Sequence, residues 1–273
     1  MKRSISLLAV LTIVGATVAA AQINYSGGTY FENFDGIQYQ NDIGIVMPNV
    51  GPVGAQDAIP TLPNWQAARV GGSGTGTFAL YPKDGSSGTG RLYSFGDIYV
   101  QERALGSIGS GTTVPGFGAS FINNSSDTYE YLTFSFNREV WRNQSDAADQ
   151  RLAFAYGFAS SGILSTDFLT HSSMTTFAAL DATSPAALAG ATSVAQNGNL
   201  APYQAAVSAT ISGISWAPGD TLFIRWNDTD DVGTDAGIGI DNLTMIAVVP
   251  EPSCGLLLGL GFAALALLRR NTR

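Results

Sequence analysis

Apolar and polar residues alternate with a period of two along much of this chain. Leu132, Phe134 and Phe136 alternate with Thr133, Ser135 and Asn137, and Leu152, Phe154, Tyr156 and Phe158 with Ala153, Ala155 and Gly157. Val207, Ala209 and Ile211 alternate with Ser208 and Thr210, and Leu222, Ile224 and Trp226 with Phe223 and Arg225. Each run predicts a strand with one face in a core and the other toward solvent. Tyr30 to Phe34 and residues 238–248 are the expected first and last strands. The Gly- and Ser-rich residues 71–77 and 84–90 read as loops around a strand at Phe78 to Tyr81. Residues 165–202, rich in Ala, Ser and Thr, read as a long connection with a helical turn or two. Many short strands without convincing amphipathic helices predict an all-β body, a two-sheet antiparallel sandwich of jelly-roll-like form over residues 22–248.

The two ends break this pattern. Lys2 and Arg3 precede an apolar stretch, residues 5–18, and then Ala19-Ala20-Ala21. A basic start, a short apolar run and small residues at the cleavage positions predict a signal peptide over residues 1–21, cut between Ala21 and Gln22. An uncleaved anchor is the alternative, and the short run disfavours it. At the other end, Val249-Pro250-Glu251-Pro252-Ser253 leads into an apolar run, residues 254–268, which stops at Arg269-Arg270. As a helix that run spans about 22 Å, short of the ~30 Å hydrocarbon core. Bilayer thinning and snorkelling of the arginines accommodate the difference. Basic residues beside a span stay cytoplasmic, so the body is expected outside and the tail inside.

Pro250, Glu251 and Pro252, the apolar residues 255–268, and Arg269 and Arg270 together resemble the PEP-CTERM sorting signal of exopolysaccharide-producing Gram-negative bacteria. The resemblance covers residues 249–273. It implies processing by an exosortase, a membrane peptidase, after signal peptidase has acted. The protein is then expected as an inner-membrane-anchored intermediate before it reaches the cell surface or extracellular matrix. Further blocks resemble a family of secreted β-sandwich proteins that often carry this signal. They are Glu32 to Gly36, Tyr93 to Gly96, Glu102 to Ser107, Glu139 to Arg142, and the stretches 219–226 and 235–241. Ala236 and Asn242 stand where that family has His and a second Asp. This second resemblance implies the fold and no activity.

Charge and composition narrow the function. Residues 22–252 carry 8 basic against 21 acidic side chains, a formal −13, which excludes nucleic acid and anionic lipid as partners of the body. The single cysteine, Cys254, lies in the tail, so the body has no disulfide and no thiol nucleophile. One histidine, His171, offers little for a nucleophilic triad and less for zinc. Glu32, Glu102, Glu130 and Glu139 show no pairing along a strand of the kind glycoside hydrolysis needs. Glu139 is expected to form an ion pair with Arg142 or Arg103.

Asp228, Asp230, Asp231, Asp235 and Asp241 place five carboxylates in fourteen residues. Two readings stay open: a structural calcium site on the loop before the last strand, or a solvated acidic hairpin. The spacing is not that of an EF-hand, which would not have Val232 at its fifth position. Trp216 and Trp226 read as core. Trp65, in a Pro-rich stretch, is a candidate sugar-stacking platform. The leading expectation is a non-enzymatic surface or matrix protein associated with exopolysaccharide. The alternatives are a carbohydrate-binding module, calcium-assisted or not, and a cryptic glycan hydrolase.

Overall fold

The computed structural model describes residues 22–37, 44–47, 53–97 and 99–249. Residues 1–21 with the Ala21 cleavage point, the motif Pro250, Glu251 and Pro252, and the tail with Arg269 and Arg270 lie outside the described residues.

The first half of the chain forms β1 (Ile23–Tyr25), β2 (Thr29–Glu32), β3 (Ile45–Met47), β4 (Gln56–Ala58), β5 (Trp65–Gly71), β6 (Phe78–Lys83), β7 (Arg91–Phe95) and β8 (Ala104–Ile108). The second half forms β9 (Val114–Asn123), β10 (Tyr129–Arg142), β11 (Gln150–Phe158), β12 (Thr175–Thr176), β13 (Ala182–Ser184), β14 (Gln204–Trp216), β15 (Thr221–Asn227) and β16 (Gly237–Val248). One sheet runs β12-β11-β15-β9-β5-β4, with β1 beside β9 and β13 beside β11. The other runs β14-β10-β16-β8-β7-β6-β3, with β2 beside β16.

The two-sheet sandwich matches the alternation, but the pairing is not wholly antiparallel. β1 lies parallel to β9, and β6 parallel to β7. Only four residue pairs are matched between β6 and β7, so the short return through residues 84–90 suffices.

Trp226 centres the inter-sheet core. Its ring stacks on Trp65 at 6.4 Å and on Phe117 at 6.2 Å, and meets Phe136 and Phe154 edge-on at 5.5 and 4.9 Å. Each of the four indole N–H groups is bonded: Trp65 to Tyr30 Oη, Trp141 to Glu139, Trp216 to Asp220 O and Trp226 to Leu180 O. Trp65 is therefore no stacking platform. Thr61 and Asn64 take left-handed backbone conformations that bring the Pro-rich stretch around, and Trp65 opens β5 with no exposed surface.

Both outer faces are partly roofed, which simple alternation does not foresee. Phe223, expected toward solvent, is buried with Ala68 and Ala155 against Ile163, Phe168, Leu169 and Met174. On the other sheet, Tyr93, Phe95, Ala104, Ile108 and Trp141 form a separate cluster, with the Phe95 and Trp141 rings stacked at 6.2 Å. Gly198 lies against this indole, where a Cβ would come within 2.4 Å of Trp141 Nε1.

Trp226→Ala should destabilise the body by about 3–5 kcal/mol, the usual result of emptying a tryptophan-sized core site. Denaturant unfolding measures it. A loss under about 1 kcal/mol would contradict the central place given to this ring.

Candidate functional site

A β-bulge places the key carboxylate. Ser135 pairs with Thr244 and Asn137 with Asp241, so β16 takes three steps where β10 takes two. Asn242 absorbs the extra residue at φ +52°, a conformation asparagine tolerates better than most residues. The shift lets Ile238 and Ile240 on one side, and Leu243, Met245 and Ala247 on the other, all enter the core. Asp241 is left on the opposite face of the sheet.

There it meets Glu139 from β10 and Glu102 from the segment before β8. One carboxylate oxygen from each of the three lies within 4.8 Å of the others. Among the described residues this is the only such group of three His, Cys, Asp or Glu side chains. Glu139 is 0% exposed and Asp241 3%, whereas Glu102 is half-buried at the rim. Glu139 accepts hydrogen bonds from Trp141 Nε1 at 2.9 Å and Gln204 Nε2 at 3.0 Å. Glu102 accepts one from Asn199 Nδ2, and Asp241 Oδ2 one from Asn242 Nδ2 at 2.5 Å. Asp241 Oδ1 has no hydrogen-bond partner. An open cleft of about 340 Å³, lined also by Asn33, Asp35 and Asn137, gives access to the group.

Burial dominates the electrostatics. It raises Glu139 to about 7, with the Trp141 and Gln204 bonds pulling back and the Glu102 charge adding to the rise. It raises Asp241 to about 8, helped by the Glu139 charge. Glu102 also rises through burial, against its bond from Asn199. Arg103 does not neutralise the group through hydrogen bonds. It directs its guanidinium to Ser94 Oγ, Ser94 O and Asp97 O, while its backbone N–H donates to Asp35. The expected Glu139 ion pairs are thus replaced by an indole and an amide; Arg142 bonds the Gly85 and Ser193 carbonyls instead.

The five-aspartate site is not one site. Asp241 belongs to the cluster above, because the bulge turns it to the outer face. Asp228, Asp230, Asp231 and Asp235 lie in the connection between β15 and β16, and no three of their carboxylates converge within 4.8 Å. Asp228 accepts from Ser107 Oγ at 2.6 Å and from the Thr229 N–H at 2.8 Å, and Asp231 from Thr229 Oγ1 at 2.8 Å. Asp235 is raised to about 7 by burial and by the charges of Asp230 and Asp231. His171 is half-buried, and its Nδ1 accepts the Ser173 N–H.

Sequence reading missed the pairing of Glu102 and Glu139 with a third acid. Their positions are 37 and 102 residues apart from the next member, so no local spacing reveals them. The signal lay in the family-like blocks: Asn33 and Asp35, Glu102, Glu139, and Asp241 come from four of them and line or form one cleft.

Without metal ions, stability should fall as pH rises from about 4 to about 8. The unfolded chain releases these protons near the ordinary carboxylate range, whereas folded Glu139 and Asp241 hold theirs to about 7 and 8. Melting temperatures in chelator across that window test this, with Asp241→Asn expected to show the shallower decline. A melting temperature that rises through the window would contradict it.

Residues 248–270 match the family model of the PEP-CTERM protein-sorting motif. A comparison with curated proteins returns no match. Among solved structures, the CBM22-1 xylan-binding domain of Paenibacillus barcinonensis Xyn10C aligns at 11% identity and TM-score 0.34, over 75% of this chain and 100% of that one. A xylan-binding module CBM15 aligns at 9% identity and TM-score 0.36, over 77% and 100%. A Bacillus thuringiensis Cry1Da tryptic core variant aligns at 8% identity and TM-score 0.29, over 60% and 22%. Likenesses at these scores assign neither a ligand nor a fold subtype. What the comparisons do establish is that this chain carries a PEP-CTERM protein-sorting motif at residues 248–270.

Proposed function

We propose that this is an exported, non-enzymatic protein of the cell surface or extracellular matrix, handled by signal peptidase and then by an exosortase-type membrane peptidase. The observation that carries the reading is the sorting motif, which begins at Val248, where β16 ends. Folded body and sorting signal abut, so processing near Pro250 to Pro252 would free a complete sandwich. The formal −13 of residues 22–252 suits a hydrated, cation-rich polysaccharide matrix and disfavours nucleic acid and anionic membrane surfaces.

Burial of the carboxylate cluster supports the non-enzymatic reading over glycan hydrolysis. A hydrolytic pair must touch the scissile bond from both sides, and Glu139 and Asp241 are almost without exposed surface. Glycan binding through Trp65 loses its support, since that ring lies in the core.

Mass spectrometry of the carboxyl end tests the proposal, in cells with and without exosortase. With the peptidase, material outside the cell should lack the apolar tail. Pro250→Ala with Pro252→Ala, or loss of the peptidase, should leave full-length chain in the membrane fraction. Exported protein that keeps its tail, indifferent to both changes, would overturn the reading.

A further inference from the structure

We infer that Glu102, Glu139 and Asp241 form a calcium-binding site on the outer face of the second sheet. Calcium takes oxygen ligands at about 2.3–2.6 Å, so oxygens around one ion lie no more than roughly 5 Å apart. The three carboxylates meet that limit, each offering an oxygen within 4.8 Å of the other two.

A second observation points the same way. Asp241 is 3% exposed, and its Oδ1 is buried with no hydrogen-bond partner. A buried carboxylate oxygen left bare is destabilising, and a cation in the cleft supplies what it lacks; the bare oxygens of Asp235 lack the convergence of three acids found here. Asn33, Asp35, Asn137, Asn199 and Gln204 line the cleft beside Glu102 and Asp241, with Asn199 and Gln204 turning their amide N–H groups to Glu102 and Glu139. No imidazole or thiol is among the lining groups, so the donor set suits a hard cation and not zinc. The ligands come from three distant parts of the chain, Glu139 and Asp241 on paired strands and Glu102 just before β8, and the cleft at Glu102 and Asp241 gives water a route to the remaining places of a six- to eight-oxygen shell. Magnesium, which demands a tight octahedron, fits this arrangement less well.

The test uses the purified full-length chain in detergent, stripped with chelator, with calcium chloride titrated by calorimetry and followed by melting temperature. Binding is expected in the range of about 10⁻⁴–10⁻³ M that extracellular modules show, together with a rise in melting temperature. Asp241→Asn and Glu139→Gln should keep the β-sheet circular dichroism and lose the calcium-induced rise. Asp230→Asn combined with Asp231→Asn should keep it. If the buried variants fail to fold, Glu102→Gln at the rim serves in their place and should weaken binding about 10-fold or more.

Absence of both heat and thermal shift in the unaltered chain would overturn the inference. So would a full calcium response in folded Asp241→Asn, or in Glu102→Gln where the buried variants do not fold. Loss of the response on changing Asp230 and Asp231 would move the site to the loop and overturn it equally. A magnesium response as large as that of calcium would refute the choice of ion.

Discussion

Two buried carboxylates, Glu139 and Asp241, held beside a third at the rim, Glu102, are the constraint around which this structure is organised. Two unit charges about 4 Å apart at the effective dielectric of a protein repel by roughly 4 kcal/mol, and here there are three. Glu139 and Asp241 relieve the repulsion by holding protons well above the ordinary carboxylate range. A divalent cation relieves it by attraction and satisfies the bare Asp241 oxygen as well. Protons and calcium therefore compete for one place, and pH and calcium concentration act on the same group.

The rest of the fold sets that place. Trp226 and its ring partners hold the sheets in register, and the Asn242 bulge then lets the core residues on both sides of it point inward while Asp241 points out. Trp141 does two things on the outer face. Its ring packs on Phe95, and its N–H holds Glu139 in position. The long connection after β13 brings Asn199 to Glu102 and Gly198 to the Trp141 ring, so it serves as a roof over the outer face.

What could be read from the sequence divides along physical lines. The strands carrying Leu132, Phe134 and Phe136, or Leu222, Ile224 and Trp226, were legible because a half-buried strand writes a period of two into its residues. Phe223 and Trp65 were misread because their burial depends on what covers them: a segment from residues 163–174 in one case, and a turn at Thr61 and Asn64 in the other. The acidic run at Asp228 to Asp235 drew attention because its members are close in sequence. An irregular connection spreads such side chains apart, whereas adjacent strands bring together residues a hundred positions distant. Glu139 and Asp241 became neighbours through strand pairing, and the bulge that aligns them leaves no mark beyond an asparagine suited to a left-handed backbone.

The sorting motif and the carboxylate cluster concern different stages in the life of one chain. The first is a sorting signal that follows directly on the folded sandwich; the second is a cation-sized group of carboxylate oxygens on that sandwich. The most direct measurement is a crystal of the protein grown with calcium or a luminescent lanthanide, with the anomalous signal located. One peak among Glu102, Glu139 and Asp241, with Asp241 Oδ1 as a ligand, is the predicted result. A peak confined to residues 228–235, or none at all, would contradict the account.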